Sequence, residues 1–234
     1  PVAAILMLIL PANFSTTAII FVMILMVTFM GGYPIKYIGF ILGAGIVVLS
    51  IFILIAKAFP DAMPNRVQTW QSRIESFSQE GGKESYQVEK AKIAIATGGT
   101  LGLGPGKSVQ KNFLPQSTSD FIFAIIIEEY GLLFGALPML IAFILLFIRS
   151  IMIVLKSPNA FGALLSVGLS FALTIQAFVN MGVSVSLFPV TGLTLPLVSM
   201  GGTSMIFTSC AFGIILSVSR TVEKQTLEQA ENVE

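Results

Sequence analysis

The chain has no histidine, one cysteine (Cys210), one tryptophan (Trp70) and few charges, with 11% of its 234 residues being Asp, Glu, Lys or Arg. Those shortages exclude whole classes of chemistry. Without histidine there is no Ser-His-Asp triad, no Cys-His pair and no zinc site of the usual ligands, and a lone cysteine closes no intrachain disulfide. Chemistry falls to carboxylates, Lys/Arg, hydroxyls or a bound hard cation. The net charge of +1, spread over loops, gives no basic face for nucleic acid and no draw toward a strongly acidic partner. What is abundant is hydrophobic side chain, 55% of residues, with a mean hydropathy of +0.89. This is the composition of an integral membrane protein.

Pro1 is followed at once by VAAILMLIL, with no initiator Met and no signal-peptide n-region, so a chain truncated at its front is expected. Val2 to Leu10 is too short to cross about 30 Å of hydrocarbon and reads as the end of a helix. Pro11-Ala12-Asn13 breaks it, Asn13 is the expected N-cap of a span over Phe14 to Met30, and Gly31-Gly32-Tyr33-Pro34 ends that span. A second span covers Pro34 to Phe59, where Gly39 and Gly43 predict close helix packing. Residues 60–119 change in composition and are expected to form a large water-facing loop. Short amphipathic helices are predicted within it around Val67 to Phe77 and Tyr86 to Ala96. A third span starts near Asp120 and continues, with a break expected at Gly131, to Ile148 or beyond. A fourth covers Phe161 to Asn180, carrying Gln176 and Asn180 near one end. In residues 186–205, Pro189, Gly192, Pro196, Gly201 and Gly202 cannot share one regular helix, so a re-entrant or broken segment is predicted. Helix is expected again to Ser219, then a polar tail. The expected architecture is thus an all-α polytopic membrane protein. It is a single membrane domain over residues 1–234, with about five full spans and a partial one at the front. Basic residues Lys36, Arg149, Lys156, Arg220 and Lys224 in the short connections put that side in the cytoplasm, the long loop, Asp120 and the Pro/Gly segment facing outward.

Three acids stand against hydrocarbon in LPQSTSDFIFAIIIEEYGLLFG: Asp120, Glu128 and Glu129. Acids in such places cost several kcal/mol unless paired or open to water, and so are candidates for function. Asp120 has two readings. With Ser117 as N-cap it is the N3 acid of a capping box, a structural role; at the membrane face beside a basic loop it is a candidate general base. Glu128 falls about 12 Å further along the helix and about 80° round it, where it could line the same cavity. The run LGLGPGKS resembles a Walker A loop, but Leu101 stands where the first glycine is required and no buried strand precedes it, so ATP binding is rejected. Its turn, with Lys107 and Lys111, is either a phosphate-holding nest or a solvated turn.

Two long runs, GGTLGLGPGKSVQKNFLPQSTSDFIFAIIIEEYG (98–131) and NMGVSVSLFPVTGLTLPLVSMGGTSM (180–205), closely resemble the SEDS family of bacterial cell-wall polymerases, the FtsW/RodA/SpoVE group. PANFST at residues 11–16 resembles that family's P-D-x-G-T element, with Asn13 in place of the acid and Ser15 in place of glycine. The likeness covers the whole chain and would make it the C-terminal half of a protein of about ten spans, leaning to the division type. It implies a glycosyltransferase that polymerises lipid II on the outer face of the bacterial cytoplasmic membrane, with Asp120 the essential acid. Thr118-Ser119 replaces the family's His-Thr, and Gln116 replaces a glutamate. Lys107, Lys111, Arg66 and Arg73 become candidates to meet the charge of the pyrophosphate, alone or with Mg or Mn. Glu128, Gln116 and Ser119 become candidate substrate contacts, and Pro189, Pro196, Gly201 and Gly202 shape the cavity mouth. Implied partners are lipid II, the growing glycan strand, membrane lipid, a class B penicillin-binding protein and other cell-division proteins, and no nucleic acid. Two rival readings remain, a lipid II flippase and a non-catalytic scaffold.

Overall fold

Breaks in the apolar runs set most of the helix ends. The computed structural model describes residues 1–59, 67–69, 72–73, 86–115, 117–157 and 159–231, and these fall into two compact units, Pro1–Lys83 and Glu84–Glu234. In the first unit α1 is Val2–Ile9, α2 is Phe14–Met30 and α3 is Ile35–Ala58. Asn13 caps α2 as expected, its Oδ1 accepting from Thr16 N at 3.2 Å, and Pro34 stands at the N-cap of α3. The close approach of α2 and α3 falls elsewhere than the sequence suggests. It lies at Gly45, against the ring of Phe21, whereas Gly39 and Gly43 face no described atom within 4 Å. Of the amphipathic stretch expected over Val67 to Phe77, residues 67–69 and 72–73 are helical and the rest lies outside the described residues.

The second unit holds α4 (Tyr86–Gly98), a 3-10 turn (Gln110–Asn112), α5 (Ile122–Gly131), a π turn (Leu132–Ala136), α6 (Leu137–Lys156), α7 (Ala160–Ser184) and α8 (Gly202–Glu231). Small residues of α4 at helical spacing, Ala91, Ala94 and Gly98, are buried and let it lie close along α5. Ala91 and Ala94 share a core with Leu114, Phe121, Ala124, Ile125 and Val183. Phe123, Ile127, Phe143, Ala177, Met181 and Leu195 form a second core that ties α5 and α6 to α7 and to the segment after it. Deeper in, α6 and α7 are joined by the hydroxyls of Ser150 and Ser170 and by Thr174 Oγ1 donating to Phe143 O at 3.4 Å.

Ile35–Ala58, Ile122–Lys156, Ala160–Ser184 and Gly202–Gln225 are long and apolar enough to cross a bilayer, and Phe14–Met30 is a shorter apolar helix. The chain is an all-α, multi-pass membrane protein. Two expected boundaries move. The last helix does not stop at Ser219 but runs to Glu231, since RTVEKQTLEQAE contains helix formers and neither Gly nor Pro. The helix expected to start near Asp120, with Ser117 as its N-cap, begins at Ile122 because the carbonyls ahead of it are bonded elsewhere.

Candidate active site

α5 does not run straight into α6. At Gly131 the backbone takes φ +76 and ψ 179, conformations open to glycine, and the π turn follows. Such a break frees main-chain groups that hydrocarbon cannot satisfy. The glycine-rich stretch after α4 takes them up. Leu103 N and Gly104 N each donate at 2.9 Å to the carbonyls of Glu128 and Glu129, while Leu132 N and Leu133 N donate to those of Gly99 and Thr100 at 2.9 and 3.1 Å. Backbone this close leaves no room for a side chain: a β-carbon at Gly98 would sit 2.1 Å from Ile127 O.

The same stretch encloses Glu128, which is 0% exposed. Its carboxyl oxygens accept from Ser108 Oγ, from Val109 N at 3.1 Å and from Gln110 N at 3.3 Å. The amides that the sequence offered to a phosphate are therefore given to Glu128, because a buried carboxyl needs several donors and this loop supplies them. Glu128 is thus turned to the loop and latches it. Glu128→Ala should leave these donors unpaired, at about 1–3 kcal/mol for each one buried, and Glu128→Gln, which keeps an acceptor, should cost less. Thermal unfolding of the purified variants should rank wild type above Gln above Ala; equal melting would contradict the latch.

Asp120 lies just before α5, half-buried, in a turn. The capping box is not formed, since the N-cap of α5 is Phe121 and makes no side-chain cap bond. The carbonyls that a helix starting earlier would use are already committed to the Pro/Gly segment and to α7. Thr118 O accepts from Met200 N at 2.8 Å, Ser119 O from Ser199 Oγ at 2.6 Å and Asp120 O from Asn180 Nδ2 at 2.8 Å. Residues 185–201 are irregular, as expected, and are held in turn. Asn180 Nδ2 also donates to Leu193 O at 2.6 Å, Gln176 Nε2 to Thr194 O at 2.8 Å and Leu195 N to Ser199 Oγ at 2.7 Å. At Gly192, φ is +73 and a β-carbon would stand 3.8 Å from Asp120 Oδ2, so the bare main chain faces the carboxyl. Asp120 Oδ1 accepts from Ser119 Oγ at 2.9 Å. The rise from Ala160 to Asn180 is about 30 Å, enough to span the hydrocarbon layer, and the Asp120 turn is bonded at the Asn180 end of that stretch.

The structure thus joins Asp120, Ser119 and the Pro/Gly segment. Of that segment Pro196 is buried, Pro189 and Gly201 are half-buried, and Gly202 opens α8. Lys107 and Lys111 are exposed on the docked loop, and Arg73 is exposed in the first unit. Arg66 and Gln116 lie outside the described residues. Among the described residues no three His, Cys, Asp or Glu side chains converge to hold a metal. Sequence reasoning passed over Asn180, Gln176 and Ser199 as parts of the site. The available signal was two amides four residues apart, on one face of an otherwise apolar span.

A family model for FtsW/RodA/SpoVE, described as a cell cycle protein, matches residues 2–224. The chain belongs to this family. FtsW/RodA/SpoVE relatives include stage V sporulation protein E of Bacillus subtilis, 39% identical over 67% of this chain and 43% of that protein. Two proteins named "Probable peptidoglycan glycosyltransferase FtsW" are also similar. That of Francisella salina is 32% identical over 92% of this chain and 52% of its own length, and that of Nitrosococcus halophilus is 35% identical over 91% and 54%. The chain spans about half the length of the curated relatives it matches. A chain from a solved peptidoglycan synthase complex, in which polymerization and crosslinking are structurally coordinated, superposes with a TM-score of 0.64 at 25% identity. That match covers 94% of this chain and 59% of the other.

Proposed function

We propose that this FtsW/RodA/SpoVE chain carries the reacting acid of a peptidoglycan glycosyltransferase, with Asp120 as general base. The observation that carries the reading is a carboxyl at the end of a span-length apolar stretch, facing glycine main chain and braced through its own backbone. A substrate with a polyprenyl tail and a water-exposed sugar would place its reacting bond at that level. Asp120 accepts the proton of the acceptor's GlcNAc 4-hydroxyl as that oxygen attacks the anomeric carbon of the growing chain's lipid-linked MurNAc. The bond from that carbon to the pyrophosphate breaks, and undecaprenyl pyrophosphate leaves with the electron pair. One displacement turns an α-linked donor into a β-linked product, so one base suffices and no nucleophilic residue is needed. Lys107 and Lys111, exposed on a loop made rigid by Glu128, are the candidates to meet the leaving group's charge.

Positive charge on the short connections supports an outward-facing Asp120 and a cytoplasmic C-terminus. The likeness to a peptidoglycan synthase complex supports a transpeptidase partner of the penicillin-binding class, and the family's description as a cell cycle protein supports a role at division. Broken helices would suit a flippase as well, and the two separate in one assay. Reconstituted in liposomes with labelled lipid II, the protein is expected to yield polymer. Movement of the label across the bilayer without polymer would replace this reading with the flippase, and neither outcome would leave a scaffold.

A further inference from the structure

The reaction needs more than a carboxyl; it needs the carboxyl held at a fixed distance from the main chain opposite. One side chain bonds to the backbone of the acid and to that main chain. Asn180 is 1% exposed and donates both hydrogens of its amide, to Asp120 O at 2.8 Å and to Leu193 O at 2.6 Å. Leu193 directly follows Gly192, whose α-carbon faces Asp120 Oδ2. The same amide therefore ties the backbone that carries the acid to the wall of the site the acid faces. Ser199 holds Ser119 and Leu195, and Gln176 holds Thr194, but among the described residues neither is bonded to Asp120 itself. The other end of the Asn180 amide has no such use: Oδ1 is buried with no hydrogen-bond partner among the described residues. A side chain kept only to fill space would be apolar here. A buried amide with an idle oxygen is tolerated when its two N–H bonds fix an arrangement that apolar packing leaves loose.

We propose that Asn180 is a positioning residue for glycan transfer, setting the separation of Asp120 from the Gly192-Leu193 main chain. The inference rests on the reading of Asp120 as the base. Asn180 touches neither substrate nor the reacting atoms; it acts through Asp120. Its loss should lower the rate of the chemical step and leave the binding of lipid II alone.

The test is steady-state polymerisation of labelled lipid II by purified N180A and N180D in liposomes, with thermal melting of each and D120N alongside. N180D is nearly isosteric and removes the amide donors without opening a cavity. The expected result is a fall in kcat of about tenfold to a hundredfold in both variants, since displacements of about 1 Å at a reacting group have effects of this order. KM should stay within about twofold of wild type; both variants should melt lower, since two carbonyls lose their donor, yet remain folded at the assay temperature. Unchanged kcat overturns the proposal. So does a rise in KM alone, which would make Asn180 a substrate contact, or a loss of melting temperature or membrane level in both variants that accounts for the lost activity. The two readings fail separately. An active D120N removes Asp120 as base whatever Asn180 does, whereas an inactive D120N beside a fully active N180A removes only the present proposal.

Discussion

Replacing Gly98 with alanine is expected to separate α4 from α5 and leave little folded protein in the membrane. The new β-carbon would lie 2.1 Å from Ile127 O and 2.7 Å from Glu128 Cα. Both obstacles are main chain, so no side chain can swing away, and the cost should exceed the ~1–3 kcal/mol of ordinary overpacking. Relief requires moving the strip where Leu103, Gly104, Leu132 and Leu133 exchange hydrogen bonds with the broken helix. Those groups would then be unpaired, and Glu128 would lose Val109 and Gln110. Gly99→Ala is the control. One residue on, its β-carbon meets nothing within 4 Å and only the left-handed φ of +54 is strained, which costs about 1–2 kcal/mol. Size-exclusion chromatography of the detergent-solubilised variants should give a monodisperse peak for Gly99→Ala and almost none for Gly98→Ala. Equal peaks would show that the α4–α5 contact is not as close as described.

The second large effect is on chemistry with the fold intact. Asp120→Asn keeps the size of the side chain and leaves the carbonyl of residue 120 available to Asn180. The side-chain bond at stake is that from Ser119 Oγ at 2.9 Å, which an amide oxygen also accepts. Melting should therefore change little. What the amide cannot do is take the proton of the attacking hydroxyl, and loss of a general base costs about 10²–10⁴ in rate. A variant that is inactive and also fails to assemble would not meet this expectation.

Much of this was legible in the sequence wherever a local rule decides the structure. Asn13 precedes an apolar run and caps it, Gly131 interrupts a helix and breaks it, and prolines 189 and 196 with Gly192 cannot be helical and are not. Features set by distant partners were not legible. A capping box at Ser117 and Asp120 satisfies every local preference, yet α5 starts at Ile122 because Met200, Ser199 and Asn180 claim the carbonyls ahead of it. Glu128 looked like a cavity acid because helical spacing says which side a residue is on and not what docks there. The loop that covers it is 18–20 residues away in sequence. Gly98 and Gly131 read as a loop start and a helix break. Their joint role, letting two backbones touch, appears only once α4 lies along α5.

The most direct measurement is polymer formation from labelled lipid II by purified wild type and D120N, reconstituted at equal amounts and resolved by gel electrophoresis. The account predicts a ladder of glycan strands from the wild type and, for D120N, no ladder at the same protein level and melting temperature. A ladder of comparable intensity from D120N would contradict it.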